Sequence, residues 1–306
     1  MVPQFQDLTT LNTLGLFSHA GDFIKLTSLS QLEAISSLNR AYKNILILGG
    51  GSNLILPEKV DKLVIQVALP GIKLIEARPD AWIVQAGAGV SWHYFVSTCL
   101  KHGWDGLENL ALIPGTVGAS VVQNVGAYGL ELSDRFLELT AWDIYSQQLV
   151  KMNLSDCRYA YRDSFFKRSD VGRWLITAVR FILPRPWKPV ISYPDLHTHP
   201  SLLNRTLTAN DVFGAVCSIR RRKLPDPSRI GNVGSFFKNL IVGEDKRNDL
   251  CKRFPNLPSY LLTGNLYKLD LEPQVCLWLG LSISSSVDGD TQRLPKHFLV
   301  IVKTFI

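Results

Sequence analysis

Two short segments of this 306-residue chain carry side chains that could move a proton or stabilise a developing negative charge. Arg162 stands among aromatic residues in residues 159–167, YAYRDSFFK, and Ser235 follows a glycine in residues 231–239, GNVGSFFKN. An arginine held by stacking on aromatic rings can direct its guanidinium at a carboxylate or an enolate. A serine fixed by its packed neighbours can donate a proton. A surface Arg–Asp pair is the alternative for Arg162, and Phe237 in place of the second glycine of Gly-x-Ser-x-Gly argues against a serine hydrolase.

Two glycine-rich segments could bind a phosphorylated ligand through backbone N–H groups. Residues 49–53, GGGSN, lack the helix of a GxGxxG fingerprint and the terminal Gly-Lys-Ser/Thr of a P-loop. Residues 106–129 read GLENLALIPGTVGASVVQNVGAYG, and their five glycines allow backbone to approach a flat or extended ligand closely. Gln123 and Asn124 add amide groups that can recognise polar ring edges. Ordinary tight turns are the alternative, but two such loops flanked by strands favour a ligand site.

Basic, cysteine and histidine residues limit the remaining classes of function. Residues 220–223, RRRK, either complement a helix dipole or meet a diphosphate. The five cysteines are scattered and form neither a disulfide framework nor a CxxC pair, which indicates a reducing compartment. His197 and His199 lie in a proline-rich loop without a recognised zinc pattern, so we expect no metal site.

Composition and charge favour a globular protein of the cytoplasm. The formal net charge of +7 could favour anionic ligands such as nucleotides, because positive clefts attract them. Since no run of five or more basic residues occurs, we favour a mildly basic surface with no nucleic-acid role. The N-terminus does not resemble a secretion signal, and no apolar run reaches the roughly 18 residues that a membrane helix needs. We therefore expect no membrane association.

The motifs must be positioned by strands and helices that the apolar pattern predicts. Strands are predicted at residues 45–48, 54–56, 81–90, 139–145 and 174–183, and helices at residues 92–102 and 210–223. The first glycine segment would then connect strand to strand. Asn210 and Asp211 suit the N-cap of the second helix. Four prolines from 184 to 194 predict a linker, with a domain boundary between residues 184 and 204.

Together the segments resemble the UDP-N-acetylenolpyruvoylglucosamine reductases. The matching stretches occur in the family's order from residue 12 to about 260: NTLG, LILGGGSNLIL, GLENLALIPGTVGASVVQNVGAYG, YRDSFFK, RRRKLPDP and GNVGSFFKN. The resemblance implies an α+β protein: a FAD-binding fold of the vanillyl-alcohol-oxidase type with two α/β subdomains, and an incomplete C-terminal α+β substrate domain. The implied domains are residues 1–190, divided near 68, and residues 204–306.

The resemblance also implies the reaction and the residues that perform it. NADPH reduces FAD, and the reduced flavin then reduces UDP-N-acetylglucosamine enolpyruvate to UDP-N-acetylmuramate for peptidoglycan synthesis. Arg162 matches the arginine that stabilises the enolate-like intermediate, and Ser235 matches the serine that donates a proton. The implied substrate-binding residues are Tyr193, Lys223 and Asn239. The implied FAD-binding residues are Gly49, Gly50, Gly51, Ser52, Asn53, Pro114, Gly115, Gly118, Ser120, Asn124 and Gly126. The implied enzyme acts as a monomer.

The C-terminal end departs from the family's pattern. From about residue 269 the motifs cannot be matched, and the family's glutamate, expected to act as an acid with the serine, has no equivalent, because Glu272 comes too early in the chain. We therefore expect a frameshifted or truncated tail and an enzyme of low activity. The alternative function is an inactive copy that binds flavin or nucleotide-sugar. A flavin oxidase is disfavoured, because residues 106–129 contain no His or Cys to tether FAD.

Overall fold

A computed structural model describes residues 1–39, 41–42, 44–169, 171–203, 206–232, 234 and 238–269. The chain divides into two compact units, Met1–Gly234 and Ser235–Ile306. The strands are β1 Gln4–Asp7, β2 His19–Leu26, β3 Ile45–Leu48, β4 Lys59–Val60, β5 Leu63–Val67, β6 Ile72–Ala77, β7 Ala81–Gly87, β8 Gly126–Ala127, β9 Leu130–Glu131, β10 Phe136–Asp143, β11 Gln148–Asn153, β12 Trp174–Pro184, β13 Leu240–Gly243, β14 Ser259–Leu261 and β15 Leu266–Leu269. The α-helices are α1 Leu32–Leu38, α2 Trp92–Lys101, α3 Val117–Val122, α4 Leu154–Cys157, α5 Phe165–Arg168, α6 Pro194–His197, α7 Ala209–Lys223 and α8 Glu244–Arg253.

The first sheet has the strand order β1-β2-β5-β3, with β4 paired to β2. Strands β2, β3 and β5 are parallel, and α1 lies between β2 and β3 in the chain. The central strand β5 reads LVIQV and is buried except at Gln66. A strand covered on both faces needs such a continuous apolar run, because neither face meets water.

The second sheet is antiparallel, in the order β11-β10-β12-β7-β6. Helix α2 packs its apolar stripe on this part of the core. The rings of Trp92, Phe95 and Phe181 form a buried cluster with centroids 4.9 to 5.9 Å apart. The two sheets share one large core, which holds the connecting segments from α2 to α3 in place.

The second unit is small in the part that is described. Its strands form an antiparallel sheet in the order β13-β15-β14, and α8 follows β13 directly. Among the described residues, no helix has both the length and the apolar character needed to cross a membrane. The tail from residue 270, including Glu272, lies outside the described residues.

The structure corrects two local predictions. Residues 54–56 form no strand, although the glycine segment does connect two strands, β3 and β4. Leu56 is buried in a small core with Leu8 and Leu48, so the apolar run there reflects burial alone. Helix α7 is capped by Thr208, whose side chain accepts from the Asp211 N–H while the Asp211 carboxylate accepts from the Thr208 N–H. This capping box places the N-cap two to three residues before the predicted caps, Asn210 and Asp211.

Candidate active site

A cavity of about 270 Å³ lies within the first unit, between the two glycine-rich segments. Its wall contains nine of the eleven residues that the sequence suggested for FAD: Gly49, Gly50, Gly51, Ser52, Asn53, Pro114, Gly115, Gly118 and Ser120. Strand β3, helix α5 and the start of β12 complete the wall. We call this space the glycine cavity.

The two glycine-rich segments touch through their backbones. A Cβ atom on Gly50 would lie 2.9 Å from the Gly115 Cα, and one on Gly49 would lie 2.8 Å from the Thr116 Oγ1. Real side chains do not approach so closely, so these positions require glycine. The Ser52 hydroxyl adds a hydrogen bond to the Pro114 carbonyl, at 3.2 Å. The floor of the cavity is therefore exposed main chain.

Helix α3 supports the second segment. Thr116 caps it by accepting from the Ala119 N–H, and its buried residues include Val117 and Val121. The Ser120 hydroxyl donates to the Val117 carbonyl at 2.7 Å, so Ser120 shapes the wall with its hydroxyl turned to its own helix. Exposed peptide groups beside apolar wall residues suit a ligand with a diphosphate and a flat ring system, which is the chemistry of FAD.

Arg162 is held by two carbonyls of the second glycine-rich segment. Its Nη2 donates to the Gly126 carbonyl at 2.6 Å, and its Nη1 lies 3.4 Å from the Asn124 carbonyl. A Cβ on Gly126 would lie 3.0 Å from Nη1, so glycine gives the guanidinium room. The Tyr161 ring lies 5.2 Å from the guanidinium carbon. The predicted residues Asn124, Gly126 and Arg162 thus form one assembly.

Asn124 is the buried centre of that assembly. Its side chain donates to the Glu131 carboxylate at 2.8 Å and to the Ala160 carbonyl at 3.2 Å, and it accepts from the Ser133 N–H. Asn124 does not line the cavity, because its amide is buried among the protein partners just named. The sequence predicted that this side chain contacts FAD. In the structure it instead supports the segment whose carbonyls, at Asn124 and Gly126, hold Arg162.

A second group of side chains gathers between α6, α7 and the end of the second glycine segment; we call it the Tyr–Arg cluster. The Tyr128 and Tyr193 rings meet edge to face with centroids 5.4 Å apart. Lys223 forms an ion pair with Asp195 at 2.6 Å. Arg220 and Lys223 lie close enough to Tyr128 for their positive charges to act on its phenol. Burial raises the pKa of Tyr128, against the influence of Arg220 and Lys223, so its phenol stays protonated at neutral pH.

Sequence reasoning selected Tyr193 and Lys223 from this cluster, considered Arg220 only within residues 220–223, and missed Tyr128 and Asn109. Arg220 is partly buried, its Nε has no hydrogen-bond partner among the described residues, and burial lowers its pKa. Asn109 is fully buried and donates to the carbonyls of Tyr128 and Val190. The available signal was the position of Tyr128 and Asn109 inside a segment already selected for its glycines.

Ser235 lies outside the described residues, but the chain just before it is anchored. The Asn232 N–H donates to the Thr13 carbonyl at 2.8 Å, and the Thr13 N–H donates to the Gly51 carbonyl at 3.3 Å. Asn239 belongs to the second unit and lies directly before β13. Among the described residues, no group of three His, Cys, Asp or Glu side chains could hold a metal ion.

Comparison with known proteins identifies the family. A model of the FAD binding domain matches residues 23–151. The UDP-N-acetylenolpyruvoylglucosamine reductase of Bordetella pertussis is 53% identical over 296 residues, which cover 96% of this chain and 84% of that protein. The reductase of the same name from Dechloromonas aromatica is 43% identical over 260 residues, covering 83% of this chain and 76% of its own. A coverage of 96% includes residues beyond 269, so similarity to the Bordetella protein extends into the tail that the motifs left unmatched.

The fold agrees with this relationship. The crystal structure of the reductase from Thermus caldophilus superposes with a TM-score of 0.55 and 19% identity, covering 91% of this chain and 92% of that one. At that identity the likeness concerns the fold alone. The sequence identity to the two relatives decides the family: the chain belongs to the UDP-N-acetylenolpyruvoylglucosamine reductases.

Proposed function

We propose that this chain reduces UDP-N-acetylglucosamine enolpyruvate to UDP-N-acetylmuramate with NADPH and FAD, in the synthesis of peptidoglycan precursors. The observation that carries the proposal is the glycine cavity, which lies in the stretch matched by the FAD binding domain model and is built by two glycine segments in backbone contact. Residues 49–53 and 114–120 would hold FAD. When bound, FAD supplies the centre through which a hydride passes from NADPH to the substrate.

Arg162 is proposed to stabilise negative charge on the enolpyruvyl group. A guanidinium has five N–H donors, and its hydrogen bonds to described residues engage Nη1 and Nη2 at the carbonyls of Asn124 and Gly126. The remaining N–H groups of the guanidinium can therefore donate to a carboxylate while the two carbonyls hold the guanidinium in place. A cation that is already in place when charge develops stabilises the transition state without reorganisation.

Ser235 is proposed to donate the proton that completes the reduction. The anchoring of Asn232 to Thr13 supports this role, because it ties the chain before Ser235 to the segment that contacts Gly51. A serine that donates a proton needs a fixed position near the receiving carbon.

The Tyr–Arg cluster is proposed to bind the diphosphate and uridine side of the substrate. Lys223 and Arg220 supply positive charge, and Tyr193 with Tyr128 supplies aromatic surface and phenol donors. Asn239, in the second unit, is likewise proposed to bind the substrate. We further propose that the enzyme works as a cytoplasmic monomer without nucleic acid or a membrane, which light scattering on the purified chain would test.

The test is an absorption spectrum of the purified chain whose intact mass has been confirmed. We expect the bands of oxidised flavin, bleached by NADPH under anaerobic conditions and restored by UDP-N-acetylglucosamine enolpyruvate, with a product two hydrogen atoms heavier than the substrate. Flavin bands that NADPH does not bleach would support the alternative of an inactive flavin-binding copy. A colourless protein that takes up no added FAD would overturn both.

A further inference from the structure

The side chain of Asn109 connects the two segments that carry the tyrosines of the Tyr–Arg cluster. It is fully buried, and its Nδ2 donates to the Tyr128 carbonyl at 2.8 Å and to the Val190 carbonyl at 2.7 Å. A side-chain amide has two N–H donors, and both are used here. The two carbonyls are far apart in sequence, so one buried amide sets the spacing between their segments.

The segment that leads to Tyr193 has no regular structure of its own. Residues 185–193, between β12 and α6, form neither helix nor strand, so tertiary contacts must hold Tyr193 in place. Val190, which is tied to Asn109, lies three residues before it. Gly129 lies against the same segment, since a Cβ there would lie 3.5 Å from the Val190 Cγ1 and 4.0 Å from the Tyr193 Cβ. The bond from Asn109 therefore acts close to the tyrosine.

The backbone of Tyr128 adopts a conformation that bulky residues seldom take. Its φ is 50°, in the left-handed region, and such a conformation persists where the surrounding structure holds it. The hydrogen bond from Asn109 to the Tyr128 carbonyl is one such constraint. The edge-to-face contact with the Tyr193 ring, at a centroid distance of 5.4 Å, is another. The buried amide thus supports the backbone from which the Tyr128 ring reaches Tyr193.

We propose that Asn109 is a positioning residue for the nucleotide-sugar: its amide spaces the two segments so that the phenols of Tyr128 and Tyr193 bind the diphosphate and uridine side of the substrate. The inference rests on the proposed function, because it requires that substrate in the Tyr–Arg cluster. Asn109 is fully buried and does not line the glycine cavity, so it acts through the two tyrosines and not by contact with FAD or substrate.

The first test compares the FAD-loaded Asn109→Ser variant with the unchanged enzyme. Serine keeps one short donor and cannot reach both carbonyls, so we expect KM for the enolpyruvyl substrate to rise about tenfold. The value of kcat and the flavin content per chain should stay within about twofold, because the amide contacts neither the reacting atoms nor FAD. A fall in kcat and flavin content along with the rise in KM would indicate a general loss of structure and overturn the positioning role.

Ser18→Ala is the matched control. The Ser18 hydroxyl is also fully buried and donates to a distant carbonyl, that of Pro57 at 2.7 Å, directly before β2. Losing this bond should lower the melting temperature and leave KM within about twofold. An increase in KM as large as that of Asn109→Ser would mean that any lost buried hydrogen bond weakens substrate binding, and the role of Asn109 would be overturned.

A double-mutant cycle tests whether Asn109 acts through the two phenols. In a chain that already carries Tyr128→Phe and Tyr193→Phe, Asn109→Ser should raise KM by less than about threefold, because there are no phenols left to position. An equal rise in KM in both backgrounds would show that the amide acts by another route and would overturn the proposal.

A further measurement uses the unchanged protein and does not depend on the folding of a variant. With ¹⁵N-labelled asparagine, the side-chain amide protons of Asn109 should exchange more slowly with solvent when UDP-N-acetylmuramate binds, because coupling between the tether and the ligand is reciprocal. Exchange that the ligand leaves unchanged would overturn the role of Asn109 alone. An unchanged enzyme that neither binds UDP-N-acetylmuramate nor turns over the enolpyruvyl substrate would overturn this role and the proposed function together.

Discussion

The glycine cavity and the Tyr–Arg cluster are built on opposite principles. The cavity is made by main chain, at positions where a single Cβ on Gly50 would meet backbone at 2.9 Å. The cluster is made by long side chains from three parts of the sequence, and one of them, Arg220, has a buried Nε without a described partner. Under the proposed assignments, backbone would provide a rigid site for a cofactor that stays, whereas side chains would provide charge for a substrate that must enter and leave.

The largest effect should come from Arg162, which belongs to neither group and is held by the carbonyls of Asn124 and Gly126. Arg162→Ala should lower kcat about 10²- to 10³-fold, because it removes the cation proposed to stabilise the developing charge, and should leave the flavin spectrum intact. Arg162→Lys should recover only part of kcat, since ammonium lacks the fork that contacts Asn124 and Gly126. Steady-state kinetics with the enolpyruvyl substrate measures both.

Arg168→Ala is the matched control for Arg162. Arg168 lies in the same segment, is exposed, and contacts Asp163 at 3.4 Å and the Arg158 carbonyl at 2.8 Å. We expect its kcat to stay within threefold of the unchanged chain. A similar loss in both variants would mean that the segment tolerates no change and that Arg162 has no special part in the chemistry.

The backbone side of the comparison is tested by Gly50→Ala. The added methyl group must displace the Gly115 backbone, and such overpacking costs about 1 to 3 kcal/mol. We expect a lower melting temperature and a weaker affinity for FAD, measured by calorimetry and titration. Gly21→Ala in β2 is the control, because its Cβ would meet nothing within 4 Å, and it should change neither quantity.

The next test concerns the ion pair between Asp143 and Arg173, which lies next to the cavity wall. Arg173 holds the pKa of Asp143 at about 2, below its usual 3.8. The carboxylate therefore stabilises the fold above about pH 4, and this contribution is lost as the pH falls through about 2. Asp143→Asn should lower the free energy of unfolding by about 2 kcal/mol at pH 7, with the difference shrinking below pH 4 in urea titrations. Asp61→Asn, in an exposed pair with Lys59, should have no measurable effect.

The smallest effect is expected in the Tyr–Arg cluster. Tyr128→Phe should raise KM for the enolpyruvyl substrate about tenfold, because it removes a phenol donor next to Arg220 that is proposed to bind the substrate. Since burial raises the pKa of Tyr128, the unchanged chain should keep its KM up to pH 9. A phenol that ionised below that pH would instead weaken anion binding there and contradict the assignment.

Much of the cavity was predictable from sequence, because the glycine-rich segments that build it can be recognised in the sequence itself. Residues 49–53 and all four residues selected from 114–120 line it, and their contact with FAD stays a prediction. Ser120 and Asn124 were selected for cofactor contact, and the structure turns both polar groups to protein partners. Which way a side chain points is decided by tertiary packing, which residue spacing does not encode.

The Tyr–Arg cluster was only half predictable. Tyr193 and Lys223 were assigned through family motifs, but Tyr128 and Arg220 meet only once α7 packs against the second glycine segment. The strand predicted at residues 54–56 failed for a related reason, since Leu56 is buried without a strand partner. The roles of Ser235 and Asn239, and the division of domains at residues 190 to 204, stay predictions.

The peptide groups on either side of Thr13 connect two places that are far apart in sequence. The Thr13 N–H donates to the Gly51 carbonyl, and the Thr13 carbonyl accepts from the Asn232 N–H. Any contact that orders the Gly51 turn therefore lowers the entropy cost of ordering Asn232. Ordering Asn232 in turn lowers the entropy cost of ordering the Gly51 turn. Loading the cofactor should therefore slow amide exchange at Asn232 before any nucleotide-sugar arrives.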